Sequence, residues 1–202
     1  ADRLAGAYRN AQLFCFLPYQ LLLSVTFVLF PLLASAHRDG DRTAVANYVR
    51  HGVRLSLVVA GAMVSVTAGL PTALLTLVFG ADSAALGATA MHAMAVGLGA
   101  FAVFGVLTTV LTSLGRERIS ALLTVLALAL VAGLCTALLY GQPFGAALLL
   151  RTGSATAVGL LAATIVAAVA VKKTAGAVVA PRTLTRVLLA VTVAAVAAHL
   201  LP

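Results

Sequence analysis

Arg9 and Gln12 stand one turn apart at the head of the apolar run YRNAQLFCFLPYQLLLSVTFVLFPLLASA, Tyr8 to Ala36, and Tyr19 and Gln20 follow further in. A guanidinium with an amide one turn away can clamp a phosphate or diphosphate through charge-assisted hydrogen bonds. An arginine at that depth can equally snorkel back to the interface, and both readings stand. Gln12, Tyr19 and Thr26 recur every seven residues, so a continuous helix carries them on one face with Gln20 at its border. Unpartnered amides are costly in lipid, which turns such a face toward other helices or a wet cavity. Arg151 interrupts a second apolar run, GAALLLRTGSATAVGLLAATIVAAVAV. It marks either a break that lets it face a cavity with Thr152 and Ser154, or the outer interface.

Other chemistry is missing from the sequence. The five acids, Asp2, Asp39, Asp41, Asp82 and Glu117, sit in connections or at the ends of apolar runs, so no carboxylate is placed for an intramembrane proton relay or cation site. No paired carboxylates, HExxH, CxxC, GxSxG or phosphate-cradling loop occurs, which disfavours an enzyme. His37, His51, His92 and His199 are scattered and point to no metal site. His92 reads as an interior histidine, and Cys15 and Cys135 as small buried thiols. Thr108, Thr109, Thr112 and Ser113 are expected to bond to carbonyls of their own helix.

The elements that must position these residues are membrane helices. Hydrophobic residues make up 62% of the chain and charged ones 9%, a composition no soluble domain of this length carries on its surface. Six apolar spans are expected, at about 8–36, 53–79, 84–114, 119–140, 145–171 and 184–201, forming one transmembrane lobe over residues 1–202. The first is longer than the roughly 30 Å hydrocarbon core requires and must tilt or kink. Proline removes an intrahelical N–H and clashes with the preceding turn, so Pro18, Pro31 and Pro71 are the expected kink positions. Gly87, Gly97, Gly99 and Gly105 make the third span suited to close helix approach.

Ten of the thirteen basic residues fall in the connections after spans one, three and five: Arg38, Arg42, Arg50, Arg54, Arg116, Arg118, Lys172, Lys173, Arg182 and Arg186. Only Arg3, Arg9 and Arg151 belong to the other side, so the net charge of +8 is a topology signal that puts the N-terminal end outside the cytoplasm. It is not a nucleic-acid signature, which needs a soluble basic face with groove-reading or stacking residues. Residues 37–52 read as a cytoplasmic amphipathic interface helix, capped by Asp41 or Thr43, whose arginines meet lipid phosphates. The start at Ala1, with no signal-peptide pattern, reads as a piece of something longer.

The run GAYRNAQLFCFLPYQLLLSVTFVLFPLLASAHRDGD, the basic amphipathic stretch after it, a span ending LVFG and a long span ending LTSLGRERIS together resemble the second half of the MOP flippase superfamily. That superfamily includes polysaccharide and O-antigen flippases, the peptidoglycan lipid flippase and the MATE exporters. The LFP-type motif and the neutral Gln12, where peptidoglycan lipid flippases carry an arginine, make the polysaccharide branch the nearest likeness. The resemblance implies an all-α polytopic bundle in the bacterial cytoplasmic membrane that joins an N-terminal lobe of the same transporter and moves a lipid-linked oligosaccharide by alternating access. It implies no cofactor, with membrane lipids as the other partners. Arg9, Gln12, Tyr19, Gln20 and Arg151 are then the expected cavity lining. A peptidoglycan-lipid or drug exporter is the alternative within the class, and a non-transporting scaffold of envelope synthesis the alternative outside it.

Overall fold

The computed structural model describes residues 2–143 and 145–176, and beyond them Leu189, Ala190 and Val193. Among the described residues the longer helices are α1 (Asp2–Cys15), α2 (Leu17–Arg38), α3 (Arg42–Gly69), α4 (Pro71–Phe79), α5 (Ala81–Ser113), α6 (Glu117–Leu139) and α7 (Ala146–Ala175). No strand occurs among the described residues, and five stretches are long and apolar enough to span a membrane, with α1 and α2 counted together. The protein is a helical membrane bundle. The apolar segment expected at 184–201 lies, but for the three residues named, outside the described residues.

Proline sets two of the helix boundaries. Pro18 has no N–H to return to Phe14, and α1 gives way to α2 at Phe16, where the Tyr19 N–H bonds back three residues to the Phe16 carbonyl at 3.1 Å. Pro71 opens α4 directly after α3 ends at Leu70, a first-turn position where its missing N–H costs nothing. Pro31 differs, for α2 runs unbroken through it with the ring exposed. The amphipathic segment expected at 37–52 is not a separate element. Its first two residues finish α2, and from Arg42 it forms the opening turns of the 28-residue α3, whose N-cap Asp41 accepts the Ala44 N–H at 2.8 Å. Arg151 causes no break either, because α7 continues through it.

The middle of the bundle is α5, which packs against α1, α2, α3, α4 and α7, while α6 leans mainly on α7. Two apolar clusters meet along it. One joins Leu22 and Leu33 of α2, Val49 of α3, Val106, Leu107 and Leu111 of α5 and Val171 of α7. The other joins Cys15, Leu75, Met91, Met94 and Leu98, and Phe101 touches both.

Small residues make the central place available. A Cβ on Gly97 would lie 2.4 Å from the Ala157 Cα, and one on Gly87 2.9 Å from the Ala7 carbonyl oxygen. Gly99 receives Val64 and Gly105 receives the Tyr19 ring in the same way. Buried hydroxyls turn to their own helices, Ser56 donating to the Gly52 carbonyl at 2.7 Å and Thr67 to that of Met63 at 2.9 Å. No buried side-chain nitrogen or oxygen among the described residues lacks a partner, as a lipid environment requires.

Candidate functional site

The face of α1 that meets α5 consists of Ala7, Ala11 and Cys15, spaced by four residues and at most 2% exposed. Their small side chains let the two helices touch. Polar bonds fix the register: the Asn10 Nδ2 donates to the Ser83 Oγ at 3.1 Å, and the Cys15 thiol points to the Met91 carbonyl at 3.8 Å. α1 also touches α7.

With one face occupied in this way, Arg9 and Gln12 are left exposed. Beyond the Phe16 turn, Gln20 and Ser24 are exposed as well. All four are polar and exposed on α1 and α2, among the exposed Leu13, Leu17 and Leu21. Ser24 lies one turn beyond Gln20, and that spacing of four was the signal available in the sequence.

Of the heptad Gln12, Tyr19 and Thr26, the first is exposed and the other two are half-buried. Tyr19 and Thr26 turn toward α5, where they line a groove of about 150 Å³ with Gly105, Thr108 and Thr109. Gly105 makes the approach possible, since a Cβ there would stand 3.2 Å from the Tyr19 Cε2. The ring stacks on Phe101 with centroids 5.1 Å apart and meets Phe16 at 5.1 Å.

Each hydroxyl of the three threonines in this groove donates to its own helix. Thr26 bonds to the Leu23 carbonyl at 2.7 Å, Thr108 to that of Gly105 at 3.0 Å and Thr109 to that of Gly105 at 2.9 Å. Their oxygens keep accepting lone pairs toward a space that holds a few waters, at about 30 Å³ each.

The remaining candidates lie apart from the groove. Arg151 is exposed on the second turn of α7, while its neighbour Gly153 faces α5, where a Cβ would come 3.0 Å from the Ala90 carbonyl oxygen. His92, expected inside, is exposed. Among the described residues no group of three or more histidines, cysteines or carboxylates is close enough to hold a metal ion.

The geometry therefore leaves a set of exposed polar residues on α1 and α2, and a small hydroxyl-lined groove beside an aromatic stack. Comparison with known proteins gives one match. A family model described as the lipid II flippase MurJ matches residues 4–201. No curated protein and no solved structure matches.

Proposed function

The chain belongs to the MurJ family of lipid II flippases, and on that premise we propose that it is a transporting lobe whose exposed polar residues Arg9, Gln12, Gln20 and Ser24 border the path of a lipid-linked diphosphate head group. The family's members are transporters, which agrees with the missing acid–base and nucleophilic constellations. The observation that carries the reading is the division of α1 into two faces. Its small residues are committed to α5, and its guanidinium and amides remain exposed at a depth where bare lipid would be a costly neighbour. A hydrated cavity shared with an N-terminal lobe satisfies them.

In this reading the diphosphate meets Arg9 by bidentate bonds, Gln12 and Gln20 bond the sugar head, and the lipid tail stays in the bilayer. Arg151, exposed on α7, supplies a second cation to the rim. Alternating access follows if the two lobes rock about these residues, with the head group held unequally in the two states. The bacterial cytoplasmic membrane, with the N-terminal end of the chain outside, fits the basic connections.

Lipid II, with its disaccharide-peptide head, is the passenger the family suggests. The neutral Gln12 favours a second reading, an oligosaccharide precursor on the same carrier.

The test is translocation of both fluorescent lipid-linked substrates in liposomes holding the full-length protein, with Arg9→Ala and Gln12→Ala beside it. Faster flipping than in empty liposomes is expected, with a loss of about tenfold or more for Arg9→Ala at unchanged thermal midpoint, the worth of a charged hydrogen bond. The substrate that is flipped names the passenger. Variants that lose folding and flipping together would instead mark these residues as helix-packing glue, as in a scaffold.

A further inference from the structure

Three connections converge at one end of the bundle, the end of α1 and α2 far from Arg9. Gly40 after α2, Gly115 after α5 and Gly176 after α7 take left-handed φ angles of 73°, 71° and 67°, so each turns the chain sharply where its helix stops. All three line one pocket of about 900 Å³, together with the first turn of α3. Arg42 at the start of α3, Arg116 between α5 and α6 and Lys173 in the last turn of α7 stand on its wall, with His37 beside them. The carboxylate on the same wall, Asp41, is engaged in capping α3. Among the described residues no ion pair neutralises the three cations.

Basic residues at helix C-termini offset the helix dipole wherever their side chains point, so charge near these ends calls for no pocket. The arrangement here is more particular. Arg38, Arg50, Arg54, Arg118 and Lys172 share the basic connections and helix ends but do not line the pocket, whereas cations from three segments far apart in the chain do. Beneath them lie Ala36, Val45 and Leu114, each at most 7% exposed, so an apolar floor sits under a cationic rim.

The geometry points to a binding site for a phosphate-bearing group at this end of the bundle, with the head of an anionic phospholipid as the occupant that fits best. Arg42, Arg116 and Lys173 take the phosphate, and the glycerol and first methylenes cover the floor that a free phosphate would leave bare. The site is separate from the exposed polar residues on α1 and α2 and does not depend on transport.

The test titrates the purified full-length protein in mild detergent with short-chain phosphatidylglycerol, phosphatidylcholine and inorganic diphosphate, reading bound ligand by native mass spectrometry. Two variants of equal charge change are compared, R42Q/R116Q/K173Q in the pocket and R50Q/R54Q/R118Q outside it. The expected result is phosphatidylglycerol binding without phosphatidylcholine binding, weakened roughly a hundredfold by the pocket variant, at about fivefold per cation, and less than about threefold by the other.

Diphosphate bound as tightly as phosphatidylglycerol, and lost in the same variant, would keep the site and identify its source as soluble phosphate. Equal losses in the two variants would overturn the proposal, because diffuse surface charge then explains the binding. Should the triple variant not fold, Lys173→Gln against Lys172→Gln decides the matter: a fivefold loss confined to Lys173 supports the pocket, and equal behaviour of the two neighbours overturns it.

Discussion

Helices α5 and α6 are both long apolar spans, and they occupy opposite places in the bundle. Of the most apolar eighteen residues in each, 67% are buried in α5 and 11% in α6, although α6 is the more apolar of the two. On α6 only Leu123 and Ala127 are buried, and Leu122, Val125 and Leu128 are between 62% and 70% exposed. The contrast shows that apolarity places a helix in the membrane but not in the middle of the protein. Lipid is as good a solvent for leucine as another helix is, so the central place goes to the helix whose small side chains let other backbones come near.

The largest effect that can break this comparison comes from Gly97. Its Cβ would meet the backbone of Ala157, so Gly97→Ala must push α5 and α7 apart, at a cost on the order of 3 kcal/mol. Purified full-length protein should lose its monodisperse peak or show a sharply lowered thermal midpoint. Adding Ala157→Gly should not restore it, because the nearest obstructing atom is the Cα that glycine retains; full rescue would mean that the side chain was the obstacle.

Tyr19→Ala comes next. It removes a ring contact with Phe101 of α5 and another with Phe16 at the turn between α1 and α2, and should destabilise by about 2 kcal/mol, with Tyr19→Phe staying close to wild type in the same unfolding measurement.

A glycine on the peripheral helix should behave in the opposite sense. Nothing lies within 4 Å of a Cβ built on Gly133 of α6, so Gly133→Ala gains helix propensity and is expected to raise stability by about 0.5–1 kcal/mol. A fall instead would reveal a partner packed against that face of α6. The smallest effect belongs to Leu128→Ala, within about 0.5 kcal/mol in detergent, since the removed atoms exchange one apolar surrounding for another. A loss several times larger would give the exposed side of α6 a protein neighbour.

Much of this was legible in advance, and for local reasons. The glycines of α5 could be named from the sequence as points of close approach, but not the residues they would meet. Gly87 meets Ala7 and Gly97 meets Ala157, partners 80 and 60 residues away. Arg9, Gln12 and Gln20 could be singled out because polar groups are rare in such a run. That Tyr19 and Thr26 would be half-buried against α5 could not be foreseen, because it depends on which residues of α5 come opposite them. The amphipathic stretch after Arg38 showed its charge pattern plainly, yet its continuity with α3 depends on the tight turn at Asp39 and Gly40, which the hydropathy pattern does not register.

The sequence by itself determined that the chain lives in a membrane, that Pro18 and Pro71 disturb regular helix, and which connections carry the positive charge. Each of these follows from the solvation of single residues or from the covalent limits of proline. The tertiary structure alone decided that α5 lies at the centre, that one side of α1 is closed by packing while Arg9 and Gln12 remain open, and that the ends of α2, α5 and α7 gather Arg42, Arg116 and Lys173 around one pocket. Those outcomes rest on shape complementarity between segments far apart in the chain, and no window of the sequence contains both halves of such a fit.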